Sequence, residues 1–205
     1  MHKTNCQNSN ILYDYYEKTC ELCKKAEEKR NRAFLIQFII IGTLFYLLLF
    51  PDNANKALST LSIENVSINL GIGIKIISLV VCATEVYYLI RYIQLNIYIE
   101  KIYKNIHDAE NQLSSMTNYN SICREGNNYL NYYPLVQTII YILYSYFFPI
   151  SLTLLVLIFC VMYFIQNNIS LSTVLIIIAS IIHSLLTILY VKFRWTNAKK
   201  NQETK

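Results

Sequence analysis

The chain has 205 residues, of which 54% are hydrophobic and only 15% charged. Soluble domains run nearer a quarter charged, so this balance points away from a water-soluble globule and toward a membrane protein of one domain. The four glycines and three prolines leave little to interrupt long helices.

Residues 1–32 are polar and read as an N-terminal cytoplasmic helix. Leu12, Tyr15, Thr19, Leu22, Ala26 and Ala33 recur in alternating steps of three and four, with Lys29 as the exception. Glu21 with Lys25 and Glu28 with Arg32 are favourable pairs one turn apart. The first apolar block, Ala33–Phe50, starts too far from the initiator methionine for a cleaved leader and predicts a retained anchor. A second block, 70–90, carries Lys75 and Glu85. Each block approaches the ~20 residues needed to cross a bilayer. The 51–69 connection between them is expected as a loop closing a first transmembrane hairpin, residues 33–90.

From Tyr88 the positions Tyr92, Leu95, Ile99, Ile102, Ile106, Ala109, Leu113 and Met116 continue at coiled-coil spacing, with Asn96, Glu100, Lys101, Lys104, Asp108 and Glu110 between them. The spacing predicts a cytoplasmic heptad helix over 91–116. Its seam is Leu95, Ile99, Ile102, Ile106 and Leu113, facing Leu12 and Leu22 of the N-terminal helix in a two-helix stalk. Residues 117–146 are a polar linker followed by a tyrosine-rich interfacial helix. A second hairpin spans 147–191, with blocks 147–165 and 169–191 joined by Gln166-Asn167-Asn168. Residues 192–205 form a basic tail.

The whole is therefore expected to be an all-α integral membrane protein with four transmembrane helices in two hairpins. Sixteen of its 18 Lys and Arg residues fall in 1–32, 91–132 and the tail. Charge next to membrane spans stays on the cytoplasmic side, which predicts a multi-pass cell-membrane protein with both termini in the cytoplasm. The remaining two, Lys56 and Lys75, belong to the outer side, where Lys75 is expected to snorkel. Reducing conditions on the cytoplasmic side argue against disulfides among the six cysteines.

Glu85 and His183 carry the most chemistry, because an ionisable group within a span is a functional hypothesis by default. Ser180, Ser184 and Thr187 share a face with His183, giving a candidate pore or polar membrane face. Its plainer reading is a helix–helix contact. Lys24, Lys25, Lys29, Arg30 and Arg32 abut the first block and suit anionic lipid headgroups, although they also serve as the topology signal. Cys20 and Cys23 sit one turn apart, but a structural zinc needs four ligands, and only His2 and Cys6 lie nearby. No metal, cofactor, catalytic residue or nucleic-acid partner is expected. Phosphate loops, zinc-protease helices and nucleophile elbows are all missing from the sequence, which predicts a non-enzyme.

A cytoplasmic helix (Leu12–Arg32), a membrane hairpin (Ala33–Ile90) and a long cytoplasmic helix (Arg91–Ser115) follow one another in an order that resembles the SLATT effectors of bacterial nucleotide-signalled anti-phage defence. Their four-helix relatives, the S-4TM effectors, resemble the whole layout. The SLATT-like part covers the first 116 residues. The resemblance lies in organisation, so it transfers no functional residue. It implies an oligomeric effector that forms a pore or disrupts the bilayer when a cytoplasmic sensor protein detects infection. The alternatives are a transporter or channel accessory subunit and a non-conducting membrane scaffold.

Overall fold

The computed structural model describes residues 2–61, 70–117, 135–167 and 169–203, with side chains over 10–56, 73–116, 139–167 and 169–197. The polar linker over 118–134 and Cys123 lie outside the described residues, as does the side chain of Cys6. Among the described residues there is helix and no strand. The elements are α1 (His2–Leu49), α2 (Pro51–Leu61), α3 (Leu70–Thr117), α4 (Leu135–Ile142), a π-helical turn (Leu143–Phe147), α5 (Phe148–Gln166) and α6 (Leu171–Glu203). The helices containing the four apolar blocks are each long and apolar enough to cross a membrane.

The breaks follow from local chemistry. α1 runs without interruption until Pro51, which has no N–H to continue the ladder but suits the first turn of a new helix. Asp52 in that first turn complements the helix dipole. The 51–69 connection thus begins as helix α2, not as the expected loop. The π-helical turn has a similar cause. The ring of Pro149 would meet the carbonyl of Ser145 in a regular α-helix, and the widened 143–147 turn surrounds that carbonyl. α5 ends at Asn167, whose backbone and side chain both donate to Tyr163 O, at 3.0 and 3.2 Å. α6 is capped by Ser170, which accepts from Thr173 N at 3.4 Å. It continues to Glu203, so the basic tail is helical over most of its length.

Two compact units divide the chain. The first, residues 1–32 with 92–142, pairs α1 and α3. Its seam buries Tyr16, Cys23 and Ala26 against Ile99, Ile102, Ile106, Ala109 and Leu113, with Leu12 and Cys20 packed at the margin. Leu95 is buried as well. On α1 the register corrects the expected seam by one residue at two places. Leu22 and Tyr15 are each 49% exposed, while Cys23 and Tyr16 occupy the interior. Hydrophobicity favoured the leucine, but Tyr16 decides the register because its phenol donates to buried Glu110 at 3.0 Å. Glu110, expected on the polar face, is 1% exposed. Met116 is exposed, so the seam ends at Leu113.

The second unit, residues 33–91 with 143–205, draws one core cluster from four helices: Leu44 and Leu48 of α1, Cys82 of α3, Phe159 and Tyr163 of α5, and Ile176 of α6. A second cluster joins Ile41 to Leu152 and Val156. Phe34 stacks on Phe148 at 4.4 Å between ring centroids. Leu35, Phe38, Val80, Leu154, Val161, Ile181 and Ile188 face outward and exposed. The exterior of this unit is more uniformly apolar than its interior.

Candidate polar site within the helical unit

Four apolar helices have few ways to hold polar groups, and this unit gathers them inside. On α6 the buried positions are Thr173, Ile176, Ser180, His183, Thr187, Tyr190 and Arg194, in alternating steps of three and four. All but Ile176 are polar. The stripe runs for roughly 31 Å at ~1.5 Å per residue, close to the ~30 Å thickness of a hydrocarbon core.

Its centre is His183, fully buried, with Nδ1 2.5 Å from Glu85 Oε2. Glu85 is 1% exposed, and its other oxygen accepts from Gln37 Nε2 at 3.2 Å. One carboxyl group thus links α1, α3 and α6. Nδ1 and Oε2 form a direct carboxyl–imidazole hydrogen bond. Burying either group alone would be costly, whereas a pair sharing a proton can be neutral overall. Among the described residues, Gln37 Oε1, His183 Nε2 and the Tyr163 hydroxyl are buried without a hydrogen-bond partner.

The rest of the stripe is paired in steps. Thr153 of α5 donates to Thr187 at 2.9 Å and also to Pro149 O at 2.8 Å, which its single proton serves alternately. Arg194 Nη2 donates to Ser145 in the π-helical turn at 2.7 Å. Ser180 donates to Ile176 O and Ser184 to Ser180 O, each at 2.9 Å. Ser184 is half-buried, at the margin of the stripe.

Glu85, His183, Ser180 and Thr187 are therefore brought to one interior. Gln37, Thr153, Ser145 and Arg194 escaped the sequence reading. Gln37 stood out as a lone amide in an apolar block, and that was a usable signal. Arg194 looked like one more topology charge, and its burial could not be read from its neighbours.

In the other unit, Lys24, Lys25, Lys29 and Arg32 are exposed. Lys25 pairs with Glu21 at 3.7 Å on the surface, which is worth little. An open cleft of about 480 Å³ is lined by Tyr16, Cys20, Cys23, Lys24, Glu27 and Tyr103, among others. Tyr103 closes one edge by donating to Glu27 at 3.1 Å. Among the described residues no group of three His, Cys, Asp or Glu side chains is placed to hold a metal. Comparison with known protein families, with curated proteins and with solved structures returned no match.

Proposed function

We propose that the chain is a multi-pass membrane effector that acts by permeabilising the bilayer, with both termini in the cytoplasm. The observation that carries this reading is the Gln37–Glu85–His183 cluster at the centre of a polar stripe inside an otherwise apolar four-helix unit. Ionisable groups within spans face a bundle interior or an aqueous path and mark ion or proton pathways. The outward apolar side chains on all four helices are an aggregation hazard in water and are at home in lipid. The asymmetric distribution of Lys and Arg supports the orientation.

Oligomerisation and a cytoplasmic sensor partner enter through the resemblance of the layout to that of SLATT-type effectors. The paired helices of the first unit are the element through which such a partner would act. Inducible expression in a bacterium, with membrane potential followed by a voltage-sensitive dye, tests the reading. Depolarisation and growth arrest that are lost on Ile102→Asp are expected. A stable, membrane-inserted protein that never depolarises the cell would leave the non-conducting scaffold in its place.

A further inference from the structure

A buried pair that serves only packing has its polar atoms satisfied. The Glu85–His183 pair does not. His183 Nδ1 is committed to Glu85, while Nε2 has no partner among the described residues although the ring is fully buried. Gln37 repeats the pattern, with Nε2 donating to Glu85 and Oε1 left over. The open valences thus lie at the two ends of one hydrogen-bonded chain, Gln37–Glu85–His183, whose histidine sits midway along a polar stripe as long as a bilayer is thick. These side chains are 0 to 1% exposed, too tightly enclosed for a hydrated ion. A proton needs no such space, only groups that can accept and release it.

We propose that the Glu85–His183 pair is a proton-exchange site and that the permeant of this protein is the proton. The inference rests on the membrane-permeabilising reading above and names what crosses.

The neutral pair holds two protons, one in the Oε2–Nδ1 hydrogen bond and one on Nε2. The Nε2–H bond breaks toward a water molecule on one side, leaving a carboxylate and a neutral imidazole. A hydronium on the other side then protonates Glu85 at Oε1, forming an O–H bond and restoring neutrality. Gln37 accepts that hydrogen through its amide oxygen once the amide turns over. Half-turns of the carboxyl group and the imidazole then set the new O–H against the bare nitrogen and turn the remaining N–H outward, which resets the pair with its equivalent atoms exchanged. One proton has crossed and no electron has moved. The groups around the pair do not compete for this role. Gln37 on α1 is not titratable, Cys82 on α3 and Cys160 on α5 carry thiols of the same unit, and Arg194 on α6 is held by Ser145.

The test uses the full chain in liposomes holding a pH dye together with calcein, under a potassium–valinomycin potential. Wild type should carry protons without releasing calcein. His183→Ala and Glu85→Gln should each lower proton flux by roughly a hundred-fold, the lower end of what a positioned proton-transfer group contributes. Imidazole added to His183→Ala should restore it, which separates proton transfer from mere support of the fold. Inserted wild-type protein that passes no protons overturns the proposal. So does flux unchanged in both variants, or calcein escaping with the protons. In the calcein case a wider pore stands and only the permeant is wrong. Protein stripped from the vesicles by alkaline carbonate would sink the membrane reading itself.

Discussion

Tyr16 shows how one side chain sets a register. Burial, together with the hydrogen bond to Glu110, pushes its phenol above its ordinary value. Between the unfolded value of 10.0 and the raised folded one, the unfolded chain gives up its proton first. The stabilisation is therefore complete below pH 10 and is lost as pH rises further. Tyr16→Phe should cost about 1–3 kcal/mol at neutral pH, as expected for a buried acceptor losing its donor. It should also flatten the alkaline limb of an unfolding curve followed by circular dichroism. An unchanged alkaline limb would mean that Tyr16 is not the titrating group. At the polar cluster, His183→Ala strands a buried carboxyl group and should destabilise by about 3–5 kcal/mol, whereas a Glu85→Met, His183→Leu double variant should recover most of that. Denaturation in detergent micelles measures both, and a double variant no better than the single one would show that the pair is not the dominant cost.

At the scale of elements, the seam on α3 was legible because its apolar positions keep a strict spacing through Ile99, Ile102, Ile106, Ala109 and Leu113. Its partner on α1 was legible only in part. Leu12, Thr19 and Ala26 keep their expected places, while Tyr16 and Cys23 replace Tyr15 and Leu22 inside, although neither is as hydrophobic as the exposed Leu22. Two substitutions separate the registers. Ile102→Asp buries an unpaired charge and should cost on the order of 3 kcal/mol or more, while Leu22→Asp should change stability by less than about 0.5 kcal/mol. Thiol labelling of buried Cys23 reads the outcome. Equal labelling in the two variants would refute the seam described here. The π-helical turn belongs to this scale too. Pro149 was visible in the sequence, but the use of the widened turn to seat Arg194 on Ser145 depends on a helix that follows later in the chain.

At the scale of the molecule, the second unit holds a polar stripe within an otherwise apolar core and presents large apolar side chains outward. Such a surface suits a solvent of lipid chains. The charge asymmetry then predicts that alkaline phosphatase fused after residue 60 or 167 is active and that fusion after residue 118 is silent. Activity from the fusion after residue 118 would reverse the topology.

The amino-acid sequence by itself determined the helical class and the four apolar blocks. It also marked Glu85 and His183 as residues needing an explanation. Those features depend on local composition and on spacing along a single helix, where 3.6 residues per turn fixes which positions share a face. Which face meets which partner was decided only by tertiary structure. Tyr16 displaced Leu22 because Glu110 stood opposite. Gln37, Glu85 and His183 met because three helices presented them at one place. Arg194 turned inward because a proline in α5 had already opened a turn for it. Each of these is a contact between residues distant in sequence, and no periodicity within one segment encodes its partner.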